Sequence, residues 1–202
     1  MSTSMVPTDI VGSPRERLLA AANELFYREG VHTVGIDRVI ERAGVAKATL
    51  YSTFGSKDEL IAAYLERRHD AMRDRVNRAI ARRRSPRARL LAPFDVLIEL
   101  SEKENYQGCA FANATAESHG PSADAAVAGY RGWLRETFAD LAAQAQARHP
   151  AALARQLQLL WDGSGQSVRM DHDPTAARAA RTAASVLLEA ALPAGDLPAT
   201  RR

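Results

Sequence analysis

The sequence predicts an all-α protein, and three observations carry that prediction. Alanine and arginine, both strong helix formers, account for 39 and 24 of the 202 residues. Strings of alternating β-branched residues, the mark of a half-buried strand, are almost absent. Apolar residues instead recur at three- and four-residue spacing, and several runs follow a Ser-Pro or Ser-x-x-Glu start. A content of 46% hydrophobic and 25% charged residues is that of a globular chain. No apolar run comes near the ~20 residues that a membrane-spanning helix needs. Met1 to Gly12 lacks the basic start and apolar core of a secretory signal. The single cysteine, Cys109, leaves no internal disulfide or cysteine-based zinc cluster to be formed. The expectation is a soluble cytoplasmic protein with no membrane partner, no metal and no cofactor.

Ser13-Pro14-Arg15-Glu16 starts the first helix, because Ser and Glu side chains three apart satisfy backbone N–H groups left free in the first turn. Leu18, Ala22, Leu25 and Phe26 follow on one face, and Gly30 ends it. Ile36, Val39, Ile40 and Ala43 form the apolar face of a two-turn helix with Gly35 as its cap, and Gly44 stops that helix at once. A third short helix begins around Ala46 with Val45 and Leu50 inward. Two helices joined by a turn of three or four residues containing Gly form a helix-turn-helix. Ser56-Lys57-Asp58-Glu59 reads as a second capping box opening a long helix to about Arg84, with Leu60, Ile61, Tyr64, Leu65, Met72, Val76 and Ile80 buried.

Ser85-Pro86 starts a fifth helix carrying Leu90, Leu91, Phe94, Leu97 and Ile98. Gly108 to Ser118 predicts a short helix. Pro121 opens a long one with Val127, Tyr130, Leu134, Phe138 and Leu141, ending near His149-Pro150. Residues 151–170 and 174–192 form a last pair across the polar turn Asp171-His172-Asp173-Pro174. Residues 1–12 and 193–202 read as flexible tails.

The net charge of +3 proves no nucleic-acid partner, but its distribution is uneven. Residues 66–89 hold ten arginines against three acids, whereas residues 90–202 are net acidic. The arginines between Arg67 and Arg89 occupy almost every register of a helix, which reads as a solvated helix followed by a basic turn rather than a nucleic-acid or membrane patch.

The segment GIDRVIERAGVAKATLYSTFGSKDEL, Gly35 to Leu60, resembles the N-terminal DNA-binding domain of the TetR family of bacterial transcriptional regulators. The resemblance covers roughly residues 13–65. Ala43-Gly44-Val45, Thr49-Leu50-Tyr51, Phe54 and Lys57 carry it, in fixed spacing between two further helices. It implies a helix-turn-helix domain over 13–57 and a helical effector-binding and dimerisation domain over 58–192. It also implies a ligand-responsive repressor that binds double-stranded operator DNA as a homodimer and is released by a small-molecule effector.

By the same resemblance the recognition helix runs from Ala46 to Thr53. Lys47 can reach a guanine edge or a phosphate, Thr49 a phosphate or base edge, and Tyr51 the sugar-phosphate chain. Lys57 and Gly35 open helices whose positive ends attract phosphate, and Arg38 adds a contact. Ala48 and Thr53 depart from the family's usual Gly and His. Ala48 can read a thymine methyl group, whereas Thr53 removes an aromatic donor.

Bulky or polar residues on otherwise apolar helices are the candidate effector contacts: Tyr64, Phe94, Phe111, Asn113, Trp133 and Trp161. Each also fits plain core packing. Leu153, Leu157, Leu160 and Val168, with Ala180, Ala183, Ala184 and Leu187, are the expected dimer seam of a symmetric four-helix bundle. Two rival functions deserve weighing. Cys109, Asn113 and His119 contain the residue types of a cysteine-nucleophile triad, yet fall within eleven residues with nothing to position a base. Asp171, His172 and Asp173 offer one imidazole between two carboxylates, a poor set for one metal ion. No catalytic residue is therefore assigned.

Overall fold

A computed structural model describes residues 12–117 and 120–193. The tails expected at 1–12 and 193–202 therefore fall, but for Gly12 and Pro193, outside the described residues, as do Ser118 and His119. Nine helices and no strand occur among the described residues. They are α1 (Pro14–Glu29), α2 (Ile36–Ala43), α3 (Lys47–Phe54), α4 (Lys57–Ala81), α5 (Pro86–Ser101), α6 (Ala110–Glu117), α7 (Pro121–Gln144), α8 (Pro150–Asp171) and α9 (Thr175–Ala191).

Local chemistry explains most boundaries. Ser13 and Glu16 close a full capping box on α1: Glu16 N–H donates to Ser13 Oγ at 3.3 Å and Ser13 N–H to Glu16 Oε2 at 2.8 Å. Ser85 Oγ accepts from Ala88 N–H at 3.2 Å ahead of Pro86. The box expected at Ser56 forms only by half. Ser56 Oγ accepts from Glu59 N–H, but the Glu59 carboxylate accepts instead from Ser122 Oγ at 2.8 Å. The long helix α7 stops at Gln144, earlier than His149. Gln146 takes a left-handed φ of 54°, and Ala147 N–H donates back to the Ala142 carbonyl at 3.0 Å. That motif needs a residue of positive φ, and a glutamine there gives no sequence warning.

The chain divides into two compact units, and the division differs from the boundary expected at residue 57. Among the described residues, one unit comprises 12–68 together with 110–117 and 120–128; the other comprises 69–109 and 129–193. In the first unit, Leu18, Ala22, Leu25 and Phe26 of α1 are buried, as are Val39 and Ala43 of α2, Leu50 and Phe54 of α3, and Leu60, Tyr64 and Leu65 of α4. Arg68 stacks on the Tyr27 ring, 3.6 Å from its centroid, and donates to Asn23 Oδ1 at 2.9 Å, which fastens α4 to α1. Glu117 of α6 accepts from His32 N–H at 3.1 Å. Asp58 of α4 accepts from Ser122 N–H at 3.0 Å and Ala123 N–H at 3.2 Å, capping α7 from another helix. Gly120 stands where a capping side chain usually sits, and a Cβ there would lie 1.9 Å from Asp58 Oδ1.

The second unit packs α5 against α8 and α9 around Phe94, Leu134, Phe138, Leu157, Trp161, Ala184 and Leu188. Trp161 Nε1–H donates to the Tyr130 hydroxyl at 2.9 Å in the buried interior. Burial pushes that phenol well above its usual range. His69 lies 5.7 Å from the Tyr130 ring and 5.2 Å from that of Trp133, and its Nε2 is buried without a hydrogen-bond partner. Asp95 of α5 holds Arg83 at 3.0 Å and Arg181 of α9 at 2.6 Å.

Three variants test this packing. Asp58→Ala loses the cap of α7 and costs about 1 kcal/mol in chemical denaturation. Gly120→Ser is destabilising alone, because of the Asp58 carboxylate, but recovers stability when combined with Asp58→Ala. Burial, and then Arg73, lower the His69 pKa, with Asp70 opposing. The unfolded imidazole keeps an ordinary value of about 6.5. On acidification the unfolded chain takes up the proton first, so stability is full above that value and is lost as pH falls through the depressed folded value. His69→Phe flattens this loss between melts at neutral and mildly acidic pH.

Candidate nucleic-acid interface

The reading head is built by α2, a three-residue reversal and α3. Ala43 ends α2, and Gly44 adopts φ 61° and ψ 44°, the left-handed region. Gly44 N–H donates to Glu41 O and Val45 N–H to Ile40 O, both at 3.1 Å, so two of the carbonyls at the helix end are satisfied within the turn. A Cβ at Gly44 would meet only Arg17 Nη1 at 3.6 Å, so backbone conformation rather than space demands glycine there. Arg17 of α1 donates to the Gly44 carbonyl at 3.2 Å, tying the turn to the first helix. Ala46 then caps α3 with extended backbone and no side-chain hydrogen bond. Gly55 ends α3 with a φ of 78°, its N–H donating to the Tyr51 carbonyl at 2.9 Å.

Leu50 and Phe54 face the core, and Arg15 lies over the Phe54 ring at 5.3 Å. The opposite side of α3 is therefore exposed. Lys47, Ala48 and Tyr51 stand there, with Gly35 and Arg38 of the α2 start also exposed. Thr49 and Thr53 are partly buried, and the Thr53 hydroxyl donates to the Thr49 carbonyl at 2.6 Å. That hydroxyl is thus spent on its own helix. Lys57 is partly buried at the first position of α4, and desolvation lowers its pKa, with Glu117 acting in the opposite direction.

Two acids that no sequence motif singles out, Asp37 and Glu29, sit among these cations. Lys47 Nζ donates to Asp37 Oδ1 at 3.0 Å. This bond raises the lysine's pKa. Arg38 grips Glu29 through both guanidinium nitrogens, at 2.6 and 3.2 Å. The Arg38 bond, followed by that from Arg28, brings the Glu29 pKa down to about 2. Opposite charges ten residues apart carry no pairing signal until the turn brings the two helix starts together.

The residues expected to contact an effector separate into two groups. Tyr64, Phe111 and Asn113 belong to the first unit, where Tyr64 packs edge-on to Phe26. Phe94, Trp133 and Trp161 belong to the second, with Phe94 and Trp161 in one cluster about Phe138 and Trp133 beside His69. Tyr130, His69 and Ser164 join that second group; the buried Ser164 Oγ has no hydrogen-bond partner. Of the expected dimer seam, Leu153, Leu157, Val168, Ala180 and Ala184 are already buried inside the protomer, leaving Leu160, Ala183 and Leu187 at least partly accessible. The 3.6-residue period identifies apolar faces but does not say which of two faces meets the protomer's own core. Asp173 bonds Thr175 through both oxygens, and no group of three metal-binding side chains converges among the described residues. No described helix is long and apolar enough to cross a membrane.

Comparison with known proteins agrees with this geometry. The profile of bacterial regulatory proteins of the tetR family matches residues 18–64. The transcriptional activator FasR of Mycolicibacterium smegmatis is 37% identical over 91 residues, 45% of this chain and 42% of that protein. The regulator LmrA of Bacillus subtilis is 30% identical over 66 residues, 32% of this chain and 35% of that protein. The aligned stretches thus span well under half of these curated relatives. Solved structures match more fully. SCO4454, a TetR-family regulator of Streptomyces coelicolor, superposes with a TM-score of 0.81 at 32% identity, covering 88% of this chain and 95% of that one. The regulator sav143 of Streptomyces avermitilis gives 0.79 at 34% identity, covering 89% and 98%. These relatives are regulators, which removes the catalytic alternative considered for Cys109. The helix-turn-helix over α2 and α3, the all-helical remainder and the similarity along nearly the whole length of both Streptomyces proteins place the chain in the TetR family of bacterial transcriptional regulators.

Proposed function

We propose that the protein is a ligand-responsive repressor that binds a palindromic operator as a homodimer in the cytoplasm and is released by a small-molecule effector. The observation that carries the DNA-binding part is the exposed row Lys47, Ala48 and Tyr51 on a helix held from behind by Leu50 and Phe54. Small side chains at the start of that helix allow close approach to base edges in the major groove, while Tyr51 packs on the backbone. Gly35, Arg38, Thr49 and Lys57 supply phosphate contacts around it. Thr53, its hydroxyl already engaged, contributes shape only.

The homodimer reading rests on the outer faces of α8 and α9. Leu159, Met170 and Val186 are 64%, 76% and 59% exposed, large apolar side chains on faces turned away from the protomer's core. Ala152 and Gly163 extend the face of α8 at four- and seven-residue spacing, and Ala179, Ala183 and Ala190 that of α9 at three- and four-residue spacing, all small and exposed. Two copies of such a helix pair form an isologous four-helix bundle, and a twofold dimer matches half-sites about 34–36 Å apart. For the effector, the second unit offers the rings of Phe94, Trp133 and Trp161 with two buried polar atoms, His69 Nε2 and Ser164 Oγ, that lack partners. An aromatic wall with few polar anchors suits a small organic molecule. Its binding shifts the dimer between two head spacings, by no more than its difference in affinity for them.

Footprinting on the DNA that flanks the gene, at several salt concentrations, tests the reading. A protected palindrome with salt-sensitive affinity is the expected result, and absence of protection at low salt overturns it. Transcription from the protected promoter falls on adding protein if the repressor assignment holds, and rises if the protein is an activator. Tyr51→Ala weakens binding to the protected fragment about tenfold or more while the thermal melt stays nearly unchanged. Met170→Glu combined with Val186→Glu converts the dimer to a monomer in sedimentation velocity, because two charges then face apolar surface across the twofold axis.

A further inference from the structure

The cations of the reading head do not stand free. Lys47, the first residue of α3, donates to Asp37 at the start of α2, and Arg38, the next residue of α2, is gripped by Glu29 at the end of α1. Lys47 and Asp37 remain 57% and 78% exposed, so their pair is a solvated one that exchanges partners readily. The chain therefore keeps two carboxylates beside the two exposed cations expected to approach the phosphates.

We infer that Asp37 is a specificity-determining residue, which occupies Lys47 in the free protein and on random DNA and releases it only to the better partner that an operator supplies. The inference rests on the DNA-binding reading above. Nonspecific association is almost entirely the exchange of counterions for protein cations on phosphates. A lysine already neutralised by a neighbouring carboxylate releases fewer counterions when it meets a phosphate, because it must first leave its partner. On an operator the docked geometry gives Lys47 a base edge or a fixed phosphate, and that gain offsets the broken pair. The carboxylate also lies where the starts of α2 and α3 approach each other, so it repels any phosphate arriving there out of register. Glu29 does the same for Arg38 with two bonds instead of one.

The test compares wild type, Asp37→Asn, Lys47→Ala and the double variant on a random-sequence duplex and on the fragment protected in footprinting, each across a salt series. Asp37→Asn is expected to bind the random duplex about threefold more tightly. Its plot of log affinity against log salt steepens by about 0.9, the signature of one further phosphate neutralised. Affinity for the protected fragment rises less, so the ratio of specific to random binding falls. In the Lys47→Ala background the same change at Asp37 leaves the slope unaltered, which separates release of the lysine from simple loss of a negative charge. An unaltered slope in Asp37→Asn alone, or an equal gain on both duplexes, overturns the inference while leaving operator binding standing. If wild type does not prefer the protected fragment, the DNA-binding reading fails together with the inference.

Discussion

The carbonyl of Ile40 accepts from Val45 N–H across a left-handed Gly44, and the reading head depends on that closure. A helix end leaves its last four carbonyls without helical partners; here those of Ile40 and Glu41 are satisfied within the turn, so the chain can reverse in a few residues and start α3 at once. The short reversal fixes α3 against α1 and α2 through Leu50 and Phe54 and turns Lys47, Ala48 and Tyr51 outward. Neither eight-residue helix is long enough to be stable alone in water. Their order comes from the shared core with α1, whose Arg17 also holds the Gly44 carbonyl.

The same economy governs the charges around the head. Arg68 stacks on Tyr27, Arg38 holds Glu29 and Lys47 holds Asp37. The first is part of the packing of α4 on α1, whereas the other two lie at the surface and are exchangeable. Arginine-rich chains of this kind gain little stability from exposed pairs. What such pairs control is the availability of each cation to an outside anion.

Much of this was legible in the sequence because it is local. The capping box at Ser13 and Glu16, the Ser85-Pro86 start and the glycine at 44 each act within four or five residues; α1 and α5 begin, and α2 ends, where those signals stand. Ser56 is legible as a cap, but Glu59, the residue a capping box would pair with it, turns to Ser122, 63 positions away. Asp58 was missed for the same reason: it caps a helix that the sequence places far downstream. The early end of α7 at Gln144 was hidden because a glutamine occupies the left-handed position. In the last helix pair the period marks apolar residues on both the inner and the outer faces. Leu153, Leu157 and Ala184 fill the protomer, and Leu159, Met170 and Val186 remain outside. Which apolar stripe a helix buries first depends on its neighbours, which periodicity alone does not name.

Among the described residues, the unit that contains the reading head is assembled from two separate parts of the chain, one within 12–68 and one within 110–128. Its second stretch is joined by Glu117 to a backbone N–H of the α1–α2 connection and by Asp58 to the first turn of α7. For anyone building chimaeras, the natural cut after the helix-turn-helix therefore severs a working module. A head transplanted from one regulator to another must bring its distant α6 segment with it, or find in its host a carboxylate and a bare helix start that fit in the same way.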